Sequence, residues 1–177
     1  MTETLNDAAT IPPRPKYHDA AVVELAVEEL LVPVQQWIDL RAQFQPKDLK
    51  AQLTDCINNN GYEYAKDLEE RYGWEPNGDL VACLDEMDIY EAHRQVVWAW
   101  VISYGVKVPF KIGNRVSSPT IKAGTVKDID LSTAQLAVQS DADRDNGKDY
   151  RSLINFEDAI LIIGTIGEAA PTEGGAA

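Results

Sequence analysis

The stretch Ile89–Tyr104, IYEAHRQVVWAWVISY, decides the fold that the sequence predicts for the first part of the chain. It follows the pattern Asp88-x-x-Glu91, which is typical of a helix N-terminus, and it stops before Gly105, which favours the end of a helix. Residues 96–102 are apolar on every side of such a helix, and a helix of that kind is normally buried all round. The stretch therefore predicts the central helix of a core.

Before this helix, apolar residues recur at helical spacing in several shorter segments. The predicted helices cover residues 19–32, 33–44, 46–58, 62–72 and 79–87. Pro33 either breaks or kinks the first of them, or starts the second. The pattern Asn60-x-x-Glu63 predicts another helix N-terminus. With short connections, these segments predict a compact all-α domain of five or six helices over residues 18–105.

After Gly105 the helical spacing gives way to short apolar runs, several of which alternate with polar residues. The predicted strands cover residues 110–116, 124–129, 134–139, 150–154 and 160–163. Polar turns separate them, and Asn146-Gly147 in the turn at residues 141–147 favours a hairpin. Five short strands predict a small barrel over residues 106–166, and a flexible tail follows at residues 167–177.

Three motifs in this region carry a resemblance to a known family. They are KIGNRV at residues 111–116, AGTVKDI at residues 123–129 and FED at residues 156–158. Their cadence resembles that of small SH3-like barrels of the KOW type, in which G-x-x-V is followed by G-x-V-x-x-I and an acidic corner. The resemblance covers about a third of the chain. It implies a fold and not a function, because SH3-like barrels bind RNA, peptides or other subunits. The predicted fold class is α+β, with an N-terminal all-α helical domain followed by a small SH3-like β-barrel.

Residues 1–17 form a polar arm in which Pro12, Pro13 and Pro15 favour an extended chain. Such an arm is either a disordered leader or a segment that becomes ordered on a neighbouring subunit. It lacks the apolar run of a signal peptide, and no later stretch is long enough for a membrane span. We therefore expect no membrane partner and a location in the cytoplasm or in a virion.

Charge is distributed unevenly along the chain, whose net charge is −13. Residues 1–105 carry 19 acidic and 8 basic side chains, a net charge of −11, whereas residues 106–177 carry 10 and 8, a net charge of −2. A strongly acidic surface repels nucleic-acid backbones and favours a basic partner surface. The charge therefore argues for protein partners and against nucleic acid.

Five basic residues run against this acidic background in the predicted barrel, where they are the only charged residues from position 107 to position 127. They are Lys107, Lys111, Arg115, Lys122 and Lys127. They are candidate partner-binding residues, or else a solvated edge whose lysines discourage strand-to-strand aggregation. Trp74, in a loop with Pro76, either fills the core or stands exposed as a sixth candidate, and burial is the commoner fate of tryptophan.

No pattern in the sequence indicates catalysis or a cofactor. G-x-S-x-G is absent, neither Cys56 nor Cys83 lies beside a basic cluster, and no glycine-rich loop joins a strand to a helix. Both cysteines are expected to act as small buried apolar residues. We predict a protein that is not an enzyme, with no catalytic residues, no metal and no cofactor.

Two further features contain residue types that can bind metal ions. Asp141-x-Asp143-x-Asp145 begins like a calcium loop, but such a loop needs a glycine at its sixth position and a glutamate at its twelfth. This chain has Asn146 and Ser152 there, so a solvated hairpin tip is favoured. His93 has no ligand spacing around it and is expected to meet a carboxylate of its helix.

These features favour a non-enzymatic assembly or adaptor protein that binds other protein subunits, its own copies included. Phage head–tail connector and head-closure proteins use small barrels and extended arms in this way, which makes a virion component one such role. Two alternatives stay open. One is a small acidic inhibitor that imitates the charge of nucleic acid, and the other is a KOW-like nucleic-acid-binding module.

Overall fold

The computed structural model describes residues 11–41 and 44–162. The chain forms two compact units, Met1–Val106 and Lys107–Ala177. Among the described residues, the first unit contains five α-helices and the second contains a five-stranded antiparallel sheet, which confirms the predicted α+β class. The first ten residues of the predicted arm, the end of the predicted barrel and the predicted tail lie outside the described residues.

The helices of the first unit are α1 (Ala20–Asp39), α2 (Leu49–Cys56), α3 (Gly61–Tyr72), α4 (Gly78–Asp85) and α5 (Ile89–Tyr104). Pro33 lies inside α1, so it neither ends the first helix nor starts a second one, and a kink at this residue stays a prediction. Leu30, Val34 and Ile38 are buried on the two sides of Pro33 and belong to one core. Their packing keeps the helix continuous through a residue that removes one backbone hydrogen bond.

The predicted helix ends are confirmed where side-chain caps decide them. Asn60 accepts a hydrogen bond from the backbone N–H of Glu63 at 3.0 Å. The side chain of Asp88 accepts a hydrogen bond from the backbone N–H of Glu91 at 2.9 Å. Gly105 ends α5 in the left-handed conformation, with φ of 57°, a region that glycine enters without steric cost. Each cap satisfies backbone groups that a helix end leaves without partners.

The core of the first unit lies between α1, α2, α3 and α4, and α5 packs against α1. Ile89 and Ala92 of α5 join Val22 and Ala26 of α1 in a separate apolar cluster. The prediction that α5 is buried all round was wrong. Of its residues only Ile89, Ala92 and Val97 are buried, because α5 covers one side of α1 and does not run through the core.

The sheet of the second unit contains β1 (Arg115–Ser117), β2 (Gly124–Asp130), β3 (Gln135–Ser140), β4 (Ser152–Asn155) and β5 (Ile160–Leu161). The strand order is β4-β3-β2-β1-β5, and all pairs are antiparallel. A 3₁₀ turn, Phe156–Asp158, connects β4 to β5. One side of the sheet buries Val116, Val126, Leu136, Val138 and Ile154. Closure of this sheet into an SH3-like barrel stays a prediction.

Two parts of the sheet differ from their predictions. The predicted strand at residues 110–116 is a strand only from Arg115, because Lys111 and Asn114 close a turn with a backbone hydrogen bond of 3.0 Å. The predicted hairpin tip contains a short helix, α6 (Asp141–Asp145). Ser140 caps this helix by accepting a hydrogen bond from the N–H of Asp143 at 3.0 Å. Within the described ranges, no helix has the length and apolarity needed to cross a membrane.

Candidate protein-interaction surface

One side of α5 carries large side chains that contact water. Tyr90, Arg94, Trp98 and Ile102 follow one another at four-residue spacing, so they form one row along the helix, which we call the outer ridge. Tyr90 and Ile102 are each 64% exposed, and Trp98 is 54% exposed. Large apolar side chains grouped in this way are a common sign of a protein-interaction site.

The single cation of the outer ridge is held in place by its own helix. Arg94 donates from Nε and Nη2 to the two carboxylate oxygens of Glu91, both at 2.9 Å. A two-bond pair of this kind fixes the orientation of the guanidinium group and partly neutralises its charge. The ridge is therefore apolar at its C-terminal half and polar near its middle.

Residues 11–17 of the arm lie along another side of α5 and reach the outer ridge at Tyr90, whose ring centroid is 5.3 Å from that of Tyr17. Trp100 donates its indole N–H to the carbonyl oxygen of Pro12 at 3.1 Å, and His93 Nε2 lies 2.9 Å from the carbonyl oxygen of Pro15. The Tyr17 ring stacks on the His93 ring, with centroids 4.0 Å apart. Residues 11–17 therefore lie against α5 of the same chain.

These contacts also correct the prediction for His93. The imidazole was expected to meet a carboxylate of its own helix, and it meets a carbonyl group and an aromatic ring of the arm instead. Glu91, the nearest candidate carboxylate, is bound to Arg94. Sequence proximity favoured the helix carboxylate, whereas the partner lies 78 residues away in the chain.

Trp74 belongs to the core and is 1% exposed, as the first of its two predicted alternatives requires. Its indole N–H donates to Oε1 of Gln52 at 2.8 Å, and its ring stacks on the ring of Trp37. A partner could not reach this side chain without unfolding the loop, so Trp74 is withdrawn as a partner-binding candidate. The outer ridge supplies the exposed tryptophan, Trp98.

The structure separates the five basic candidates. Arg115 on β1 forms a two-bond ion pair with Asp141 and donates to Thr125 on β2 at 3.0 Å. These bonds hold the pKa of Asp141 below its ordinary value. Arg115 therefore attaches α6 to the sheet, and its role in binding a partner stays a prediction. The exposed lysines occur in three settings: Lys107 at the start of the unit, Lys111 and Lys122 in turns, and Lys127 on β2.

The second unit has exposed apolar residues that the sequence analysis missed. Leu153 lies on β4, and Ile160 and Leu161 form β5; all three are exposed. These are the two outermost strands of the described sheet. Strand alternation predicts which residues share a side, but it does not tell which side another part of the molecule covers.

The acidic motif at residues 141–145 and the two cysteines have the following surroundings in the structure. The described part of the chain contains no group of three or more His, Cys, Asp or Glu side chains arranged to hold a metal ion. The aspartates of the calcium-like motif bind neighbouring groups: Asp141 pairs with Arg115, and Asp143 accepts a hydrogen bond from the Ser140 hydroxyl at 2.6 Å. Burial raises the pKa of the free thiols of Cys56 and Cys83, which favours the less reactive protonated form.

Comparisons of the chain with protein-family models, with curated proteins and with solved structures found no match.

Proposed function

We propose that this chain is a non-enzymatic assembly or adaptor protein that binds another protein subunit through the outer ridge of α5. The exposure of Trp98 and Ile102 on one row of a well-capped helix is the observation that carries this proposal. Tryptophan, tyrosine and arginine supply most of the binding energy at protein interfaces, and the ridge contains one of each. A helix also presents them on a rigid support, so little entropy is lost on binding.

The charge of the chain indicates the kind of partner. Residues 1–105 carry a net charge of −11, so a second acidic surface would be repelled. A subunit with an apolar groove for Trp98 and a basic rim would be attracted, and complementary charge mainly raises the association rate. A phage connector or head-closure component is one protein of this class.

The order of the strands supports an SH3-like barrel as the second module of this adaptor. The chain runs through β1, β2, β3 and β4 as neighbours, turns at Phe156–Asp158, and brings β5 back beside β1. A five-stranded sheet of this order closes into a small barrel when β4 and β5 curve towards each other. Leu153 and Ile160 then provide a second apolar contact area for a partner.

The test uses full-length baits that differ only on the surface. The ridge variant is Trp98→Ser/Ile102→Ser, and the matched control is Leu40→Ser, which removes an exposed leucine just after α1. Each bait is incubated with an extract of the native host, and light scattering of each purified bait reports self-association. We expect the wild type and the control to bind at least one partner or to self-associate. The ridge variant should lose this binding. Equal binding by all three baits would overturn the proposal.

The charge of the first unit supports a second candidate function. Glu24 and Glu29 on α1 and Glu63 and Glu69 on α3 are exposed carboxylates of the kind that an acidic inhibitor would present to a nucleic-acid-binding site. Binding by such an inhibitor would weaken steeply with salt and would survive the ridge substitutions. In the alternative of a KOW-like nucleic-acid-binding module, the pairing of Arg115 with Asp141 leaves one basic group fewer to bind nucleic acid. The nucleic-acid binding of the variant Lys111→Glu/Lys122→Glu would test this alternative.

A further inference from the structure

The contact between the arm and α5 matches the repeats of two regular backbones. His93 and Trp100 are seven residues apart on α5, which places their side chains about 10.5 Å apart along one side of the helix. Pro12 and Pro15 are three residues apart, which corresponds to about 9.3 Å in a polyproline II chain. The two donors therefore meet two carbonyl groups separated by one turn of the arm.

The proline residues prepare the arm for this contact. Each proline ring fixes its own backbone φ, and each residue before a proline is restricted to extended conformations. Residues 11–15, IPPRP, therefore lose little freedom when they bind. Aromatic side chains whose N–H groups bind polyproline carbonyls are the usual means of recognising proline-rich segments. Arg14 adds a contact, with its guanidinium carbon 5.6 Å from the centre of the Trp100 ring.

Asp19 makes release of the arm less costly. Asp19 is the N-cap residue of α1, but its carboxylate does not cap this helix. It accepts the backbone N–H of Lys16 at 2.8 Å and so closes the turn at the end of the arm. When the arm leaves, the carboxylate becomes free to accept an N–H from the first turn of α1, as aspartates at this position commonly do. One hydrogen bond is thus replaced by another.

We propose that His93 and Trp100 form a polyproline II binding site on α5, and that residues 12–15 of a second copy of this chain can occupy it in place of the chain's own arm. A second copy carries the identical segment and makes the same contacts, so the exchange gains and loses equal interactions apart from the turn at Asp19. The site lies on a different side of α5 from Trp98, which is about 160° away from Trp100 around the helix axis. Tyr17 of the arm also contacts Tyr90 of the outer ridge, with ring centroids 5.3 Å apart. The test of the inference therefore substitutes His93 and Trp100, which are not residues of the outer ridge.

The arm of the same chain competes strongly with the arm of a second copy, so the experiment must first weaken its binding. It is held beside the site at a high effective concentration, so a free competitor is disfavoured in the wild-type chain. The arm variant, Pro12→Gly/Pro15→Gly, weakens the own arm while leaving the site intact. The site variant, Trp100→Phe/His93→Phe, removes both donors, keeps the aromatic rings and leaves a free arm. Circular dichroism melting establishes that each full-length variant is folded.

Mixing the two variants tests the exchange between copies. We expect light scattering to detect a one-to-one complex in the mixture, with twice the mass of either variant alone, because the free arm of one enters the vacant site of the other. The control is a chain with all four substitutions mixed with the arm variant, which should give no complex. A complex in this control, or none in the first mixture, would overturn exchange between copies.

A peptide titration tests the site itself. The indole N–H resonance of Trp100 is assigned by its loss in Trp100→Phe, and a synthetic peptide of residues 8–18 is added to the arm variant. We expect this resonance to move to its wild-type position, and a peptide with glycine at positions 12 and 15 to bind roughly tenfold more weakly. No shift would overturn the site, and tighter binding of an unrelated proline-rich peptide would overturn the second copy as its occupant.

Discussion

The indole rings of Trp37 and Trp74 lie parallel in the core of the first unit, with centroids 6.0 Å apart and 7° between their planes. Each N–H group has a side-chain acceptor at 2.8 Å: Asn77 for Trp37 and Gln52 for Trp74. The stacked pair thus joins α1 to the loop before α4 without leaving a polar atom unsatisfied. Its position explains why the loop that contains Trp74 is held against the core.

Truncation of this pair should destabilise the first unit strongly. Trp74→Ala should lower the free energy of unfolding by about 3–5 kcal/mol, because it leaves a cavity and removes the partner of Gln52. Urea denaturation followed by circular dichroism measures this loss. Trp98→Ala is the matched control on the outer ridge and should cost less than about 1 kcal/mol. Similar losses for the two variants would contradict the assignment of Trp74 to the core.

Two glycines at equivalent positions should respond differently to alanine. Gly61 and Gly78 each begin a helix after an asparagine cap. A Cβ atom at Gly61 would lie 2.5 Å from the carbonyl oxygen of Val81, whereas a Cβ atom at Gly78 would have no neighbour within 4 Å. Gly61→Ala should therefore destabilise the protein by about 1–3 kcal/mol. Gly78→Ala should be neutral or stabilise it by about 0.4–1 kcal/mol. Thermal melting of both variants measures the difference, and equal effects would show that α3 and α4 are not in close contact.

The ion pair between Arg115 and Asp141 should make the second unit sensitive to acid. The hydrogen bond from Arg115 lowers the pKa of Asp141 in the folded state. Its stabilising effect is therefore present above the unfolded pKa, about 4, and is lost as the pH falls towards the folded value. The melting temperature of Asp141→Asn should be lower than that of the wild type at pH 7, and the gap should narrow below about pH 4.

The control for this measurement is Asp149→Asn, which removes an exposed carboxylate that pairs with Arg151 at 3.3 Å. Exposed pairs contribute little to stability, so this variant should melt close to the wild type at every pH. A constant gap for Asp141→Asn across the acid range would mean that the ion pair does not form in solution.

Tyr64 should make the first unit sensitive to alkali. Its hydroxyl group donates to the carbonyl oxygen of Leu53 at 2.6 Å, and burial raises the pKa of this phenol above its ordinary value of about 10. Above that pH the unfolded chain releases the proton while the folded chain keeps it, so stability falls as the pH rises. Tyr64→Phe should be less stable at pH 7 by about 1 kcal/mol and should lose less stability between pH 9 and 11.

Tyr62→Phe, an exposed position on the same helix, is the control for Tyr64. It should follow the wild type across the alkaline range, because its hydroxyl group contacts solvent in both states. If the two variants show the same alkaline dependence, the ionisation of Tyr64 is not linked to unfolding. Urea denaturation at each pH gives the free energies needed for the comparison.

Local chemistry explains which parts of the fold could be predicted. The caps of Asn60 and Asp88 and the left-handed end at Gly105 depend on residues within a few positions, and all three were predicted correctly. The predicted helix boundary at Pro33 is absent because distant side chains pack on both sides of this residue and outweigh the local preference of proline. The strand predicted at residues 110–116 begins only at Arg115, because Lys111 donates its backbone N–H to the side chain of Asn114 and the chain forms a turn there.

The proposed interaction surface could be predicted only in part. The sequence pointed to Trp74 and to five basic residues, whereas the exposed Tyr90 and Trp98 of the proposed surface lie on α5, the helix expected to be most buried. Arg94, which precedes the apolar run and lies at four-residue spacing between Tyr90 and Trp98, was a signal of an exposed row. It was outweighed by the apolar content of residues 96–102.

The sequence by itself determined the α+β class, the helix ends and the acidic character of the first unit, because these depend on near neighbours and on composition. Only the tertiary structure decided which of two tryptophans two residues apart would stand in solvent, Trp98, and which would hold the arm, Trp100. That choice depends on how α5 is turned about its axis when it packs on α1. Contacts between residues distant in the chain set this rotation, and the helical period alone does not.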